Sequence, residues 1–267
     1  MSSSLPAGSD SEASSNASSE KGTSPASAAR NGGHDRSLKP SLGLAVLAAP
    51  LAAAAAWGLG ESGLFEFRPA IANLNMMGHP YRDASPQTRE TARLEGASCV
   101  LGTFGALLGA GMGLVGGRAS RSPGRTLLAA GLGLLAGALA GAAPLWFVIP
   151  AYNRAEELTS GDLTRSLLMH WGLWTALGAA AGFALGIGLG KRGKFMTALC
   201  GGIAGVVVGT FVYEFLGGAL FPLAETGKPF SDTATTRLLA LLFVAVFSAT
   251  GAVLFTTSLG KTTRGTS

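Results

Sequence analysis

Residues 101–117 read LGTFGALLGAGMGLVGG, an apolar run in which Gly105, Gly109, Gly113 and Gly117 recur at every fourth position. On an α-helix that spacing stacks the glycines along one face. In water each would weaken the helix by about 1 kcal/mol relative to alanine. In a bilayer, where lipid tails remove the hydrophobic drive between helices, the same stripe lets two backbones approach closely. The stretch therefore reads as a membrane helix shaped for packing. The device recurs: Gly133, Gly137 and Gly141 stand in the next apolar run, Gly178, Gly182, Gly186 and Gly190 in a later one, and Gly201, Gly205 and Gly209 in the run after that. Taken as two consecutive pairs, the stripes predict tandem glycine-zipper hairpins.

Outward from these stripes the composition agrees. Charged residues make up 13% of the 267, and the mean hydropathy is +0.38. The first forty residues are the exception, being polar and rich in Ser, Ala and Gly, with almost nothing apolar to bury against their ordering entropy. Residues 1–40 are thus expected to be a disordered cytoplasmic tail. Beyond it, six runs approach the roughly 20 apolar residues needed to cross a bilayer, near 41–60, 98–117, 126–150, 166–190, 195–223 and 237–260, with a short cytoplasmic tail at 261–267. The expected fold class is all-α, a polytopic membrane protein of six transmembrane helices.

Orientation follows from the short loops. Arg118, Arg121 and Arg125 fall in one, Lys191, Arg192 and Lys194 in another, and Lys261 and Arg264 follow the last run, all without an acidic neighbour. Such loops belong on the cytoplasmic side. Acidic residues such as Glu61, Glu66, Asp83, Glu90, Glu95, Glu156, Glu157, Asp162, Glu225 and Asp232 fall in the other loops. Both termini are then cytoplasmic, in a plasma (inner) membrane. The formal charge of +5 is accounted for by topology, because no aromatic-basic stripe for nucleic acid accompanies it. The expected partners are the lipid bilayer and a second copy or another membrane protein, and no nucleic acid.

A gapless shift of 72 residues pairs Gly133 with Gly205, Gly137 with Gly209, Pro150 with Pro222, Thr164-Arg165 with Thr236-Arg237, and Arg192-Gly193 with Arg264-Gly265. The matches fall in phase at both membrane boundaries, which predicts one hairpin written twice in the same orientation. In the outer loops, Ser85-Pro86 reads as an N-cap with proline at the first helical position, and Ser160 or Asp162, and Ser231 or Asp232, repeat that device. Residues 61–84 are too apolar for a free loop and too short to cross, which suggests an interfacial or re-entrant segment, or a cap over the bundle.

Within the runs two ionisable side chains stand out as a candidate intramembrane polar site. Glu214 lies eight residues before Pro222, roughly 12 Å from the outer boundary at 1.5 Å per residue, and His170 lies five residues after Arg165 on the preceding run. An intramembrane carboxylate is turned inward and paired, or it snorkels to the headgroups. The two readings separate on whether Glu214 and His170 share a face. A snorkelling Glu214 would leave His170 beside Trp171 and Trp174 in an interfacial aromatic belt.

Other chemistry is missing from the sequence. Cys99 and Cys200 are expected at opposite ends of their spans, too far apart for a disulfide. His34, His79 and His170 have no second ligand at helical spacing, so no metal site is expected. Gly186-Ile187-Gly188-Leu189-Gly190-Lys191-Arg192 has glycines and a lysine but no following Ser or Thr and no preceding strand, so no nucleotide or other cofactor is expected. With no nucleophile and base pair visible, the chain does not read as an enzyme. The leading expectation is a structural or accessory membrane protein held together by glycine-mediated packing or self-association. The alternative is a small transporter or channel with Glu214 on the pathway.

The orientation is checked by labelling sealed cells with an impermeant thiol reagent. Cysteines placed at Ser120 and Gly193 are expected to stay unlabelled, and one at Thr159 to label. Labelling of the first two would invert the topology.

Overall fold

A computed structural model describes residues 38–76, 79–156, 162–221 and 233–262. The N-terminal tail to residue 37, the segment around Ser160, Pro222, the Ser231-Asp232 pair and Arg264 lie outside the described residues. The elements in chain order are α1 (Leu38–Glu61), β1 (Ile71–Met76), β2 (His79–Ala84), α2 (Pro86–Ser120), α3 (Pro123–Ala142), α4 (Leu145–Glu156), α5 (Asp162–Leu189), α6 (Arg192–Leu220) and α7 (Ala234–Thr262). Six helical segments are long and apolar enough to cross a membrane: Gly43–Glu61, Pro86–Ser120, Pro123–Arg154, Ser166–Leu189, Arg192–Leu220 and Ala234–Ser258. The protein is thus a helical, multi-pass membrane protein in its architecture, as the sequence predicts.

Local chemistry sets the helix ends. Ser85 accepts the Thr88 N–H at 3.2 Å on its hydroxyl, and Pro86 opens α2. Gly190, at φ +65°, closes α5 and lets the chain turn back into α6 within two residues. One expected span is interrupted: α3 ends at Ala142 and α4 starts at Leu145, because Pro144 between them has no N–H to continue the ladder.

The apolar segment after α1 does not enter the bundle. Residues 71–84 form an antiparallel hairpin, Ile71 opposite Ala84 and Met76 opposite His79, with Ile71 67% exposed. Cross-strand pairing satisfies backbone groups that a re-entrant coil would leave bare. The linker before the hairpin lies on α2, where a side chain at Gly96 would come within 2.8 Å of the Phe65 carbonyl oxygen. The hairpin is fastened to α2 by Arg89, which donates to Asp83 at 2.6 Å. The Ala84 N–H, bonded to Asp83 at 2.7 Å, and then Arg89 hold the exposed Asp83 carboxyl below its ordinary value.

The bundle core runs along α1, α2, α5 and α7. Ala45, Ala49, Ala52, Ala53 and Ala56 form the buried face of α1, at helical spacing, against α2 and α7. Phe104, Leu108 and Met112 of α2 meet the same core as Leu177, Ala181, Ala184 and Leu185 of α5 and Val244, Ala245, Ala249 and Ala252 of α7.

Glycine positions coincide with the tightest backbone approaches. Along α2 and α3, a methyl added at Gly105 or Gly137, or at Gly109 or Gly133, would overlap the carbonyl of the opposite glycine. Gly113 faces Ala129, Gly117 faces Thr126, and Gly141 faces Leu101 in the same way. Gly178 of α5 would place a methyl 2.6 Å from the Gly202 carbonyl oxygen of α6, Gly182 abuts Ala198, and Gly186 abuts Phe195. Gly190 lies under the Arg125 guanidinium. The stripe Gly201, Gly205 and Gly209 does not face α5: Gly201 meets Gly251, and Gly205 and Gly209 meet Phe247, all on α7. Residue Gly202, one position round the helix, serves α5 instead, so α6 presents small residues on two faces. Both cysteines are free thiols.

Gly109→Ala is expected to lower stability by about 1–3 kcal/mol through overpacking, despite alanine's better helix propensity. Gly58→Ala, where nothing lies within 4 Å of the added methyl, is expected to be neutral or stabilising. Thermal unfolding of both variants in detergent checks the contrast; equal behaviour would mean that the α2–α3 seam does not depend on its glycines.

Candidate functional site

The short turn after Gly190 forces α5 and α6 to run antiparallel and side by side, which brings the first third of α5 against the last third of α6. His170 of α5 and Glu214 of α6 thereby meet: the imidazole Nδ1 faces the carboxylate Oε1 in direct contact. Ser166, one turn before His170 and on the same face, donates its hydroxyl to Glu214 Oε1 at 2.9 Å and stands 3.4 Å from His170 Nδ1. The His170 and Glu214 side chains are only 2% and 8% exposed. Neither an exposed, snorkelling carboxylate nor an interfacial imidazole fits this placement.

Aromatic rings frame the imidazole. Trp174, a further turn along α5, stacks at 6.0 Å with 17° between planes, and Tyr213, next to Glu214 in the chain, presents its edge at 6.0 Å and 82°. Trp174 and Tyr213 are both 4% exposed. A buried carboxylate deprived of water is costly, by several kcal/mol per ion, unless charge and hydrogen bonds replace the lost hydration. Here one hydroxyl and one imidazole nitrogen lie within hydrogen-bond reach of Glu214.

Above the imidazole lies a cavity of about 1160 Å³. Its floor includes His170, Trp174 and Tyr213, and its walls include the hairpin-side ends of α1, α2 and α7, with Trp57, Ala97, Leu101 and Leu241 among the lining residues. It lies at the end of the bundle that carries the hairpin. Charges gather at its rim. Arg237 of α7 grips Glu61 of α1 with two bonds, Nε to Oε1 at 2.9 Å and Nη2 to Oε2 at 3.0 Å. Trp57 Nε1 donates to the Ala234 carbonyl at 2.9 Å, so the end of α1 and the start of α7 are tied twice. Asn153 of α4 donates to Glu90 of α2 across the same rim.

The arrangement can exchange a proton between a carboxylate and an imidazole, with the imidazole on the cavity side. It is not a nucleophile relay. In such a relay, serine and carboxylate occupy different nitrogens of the imidazole, whereas here both address Nδ1 and the hydroxyl donates to the carboxylate. Of the sequence candidates, His170 and Glu214 are brought together, His79 lies exposed on the hairpin, and His34 falls outside the described residues. Among the described residues no group of three or more His, Cys, Asp or Glu gathers to hold a metal ion.

Sequence reasoning missed Ser166, Tyr213 and the rim pair Glu61–Arg237. Ser166 carried a usable signal, its four-residue spacing from His170. The rim pair is separated by 176 residues and has none. Comparisons of the chain with protein-family models, with curated proteins and with solved structures return no match.

Removing one member of the buried pair leaves the other without its partner. His170→Leu is expected to cost about 3–5 kcal/mol, and the double variant with Glu214→Leu markedly less than the sum of the two single changes. Thermal unfolding in detergent measures the cycle; strict additivity would mean that the two side chains do not interact.

Proposed function

We propose that this protein is a small transporter or channel-like membrane protein whose solute site is the cavity floor at His170, with Glu214 as the titratable group behind it. The observation that carries the reading is the burial of a Ser166–Glu214–His170 cluster directly beneath a cavity open at one end of the bundle. Ionisable groups inside membrane segments are expensive to keep and mark solute or proton pathways more often than packing. The cavity volume lies just above the roughly 300–1,000 Å³ typical of ligand pockets, enough for a small solute with some of its water.

Below the floor, the core around Phe104, Leu108, Met112 and Leu177 closes the bundle. Passage therefore requires a second arrangement, reached by moving helices against one another. In this reading the closely packed pairs α2–α3 and α5–α6 act as glycine-zipper hairpins that move as rigid units. The seams around α1 yield, α7 stays joined to α6 where Gly201 meets Gly251, and the twofold hairpin repeat supplies the symmetry for rocking. Orientation follows the positive-inside rule: both termini and the cationic turns are cytoplasmic, and the cavity faces outward across a plasma or inner membrane. No bond-making step is part of this reading.

A structural or accessory role is the second reading, and one observation favours it. Leu127, Leu128, Leu135 and Leu139 leave α3 with a broad exposed apolar face, while its glycines turn to α2. A face of this breadth can take a second copy or another membrane protein in place of lipid.

The test is flux in liposomes under an imposed pH gradient. Proton or solute movement by the parent protein, lost in both Glu214→Gln and His170→Gln while folded protein is retained, is the expected result. Absence of flux in the parent, with a stable self-association in native lipid, would replace the transport reading by the structural one.

A further inference from the structure

The end of the bundle opposite the cavity carries a different feature. The turn from α2 to α3 holds Arg118, Arg121 and Arg125, and the turn from α5 to α6 holds Lys191, Arg192 and Lys194. Sequence alone separates these turns by some seventy residues; packing makes them neighbours. A methyl on Gly188 would come within 2.5 Å of the Gly117 nitrogen, and the Arg125 side chain of one turn lies over Gly190 of the other. Five of the six cations are exposed and Lys194 is partly buried. No acidic side chain among the described residues lies in either turn. The ion pairs found among those residues lie at the opposite end or in the His170–Glu214 site.

Immediately on the membrane side of these cations the surface turns apolar. Leu127 and Leu128 on α3 are 74% and 56% exposed, and Met196 on α6 is 59% exposed. A patch of cations with no ion-pair partner among the described residues, above exposed aliphatic side chains, has the two-part chemistry that a phospholipid complements, anionic at one end and hydrocarbon at the other. Free phosphate would use only the first part. We propose that the joined α2–α3 and α5–α6 turns form a binding site for the headgroup of an anionic phospholipid, whose acyl chains lie along the exposed faces of α3 and α6. The site is independent of the cavity. Its occupant would bridge the two helix pairs by neutralising cations that otherwise repel one another across the Gly188–Gly117 contact.

The test titrates the purified full chain, in detergent, with phosphatidylglycerol and with phosphatidylcholine of the same acyl chains, bound lipid being counted by native mass spectrometry. Phosphatidylglycerol is expected to bind at least about tenfold more tightly at low salt, since each cation near an anionic lipid surface contributes a factor of about five. The preference should collapse for the unaltered protein at high salt, where the screening length falls to about 3 Å at 1 M. It should shrink several-fold in each of two variants, Arg118→Gln with Arg121→Gln and Arg125→Gln, and Lys191→Gln with Arg192→Gln and Lys194→Gln. Arg82→Gln, on the hairpin at the other end, should leave it unchanged. Equal affinity for the two lipids, or a preference that survives both salt and the combined loss of all six cations, overturns the proposal. Full displacement of the lipid by inorganic phosphate at equal concentration would show that the site takes phosphate alone, and overturns it too. The salt measurement needs no substitution, so the outcome does not depend on the variants folding.

Discussion

Contact between helix backbones is the constraint on which the rest of this structure depends. At Gly105 against Gly137 and Gly109 against Gly133, the approach leaves no volume for a methyl group on either side. Helices that close gain dispersion contacts along their whole length, which matters in a bilayer because burying apolar surface away from apolar lipid gains little. The approach also fixes register, since a shift of one residue would drive a leucine into a carbonyl.

That tight seam explains where the cavity lies. On the seam side, α2 presents glycine; on the opposite face, the same helix presents Phe104, Leu108 and Met112 to the core and, nearer the hairpin, smaller residues such as Ala97 to the cavity. Alanine-faced α1 and α7 pack closely through the closed half of the bundle. Towards the hairpin, rings replace small residues: Trp57, Trp174 and Tyr213 hold the helices apart and line the space between. The ion pair between Glu61 and Arg237 then spans the rim. An ion pair of this kind, partly open to water, adds little stability of its own, but its bidentate geometry sets the position of α7 relative to α1.

The polar cluster is possible because the hairpin of α5 and α6 brings residues 48 positions apart within hydrogen-bond reach. Ser166 and His170 are oriented by one helix face, and Glu214 arrives from the other. Replacement of such a cluster by apolar side chains of similar volume is often neutral or stabilising in proteins generally. Stability by itself therefore gives no reason for this cluster, and the transport reading proposed above supplies one.

Much of this was legible in the sequence. Helix number and approximate span limits follow from apolar run length, because a bilayer admits few alternatives to a fully hydrogen-bonded helix. The Ser85-Pro86 start of α2 and the turn at Gly190 are local events written in local residues. The break at Pro144 is equally local, but hydropathy runs smoothly across it and does not mark it. The strand pairing at 71–84 is not legible in the sequence, since composition registers apolar content and not the cross-strand bonds that satisfy the backbone. Tertiary structure alone decided which face of α6 meets which neighbour, sending Gly201, Gly205 and Gly209 to α7 and Gly202 to α5. It alone brought Ser166, His170 and Glu214 to one point, tied Glu61 to Arg237, and joined two cationic turns into one patch. The physical reason is rotation about the helix axis: sequence spacing tells which residues share a face, and only the packing of all the helices together determines where that face points.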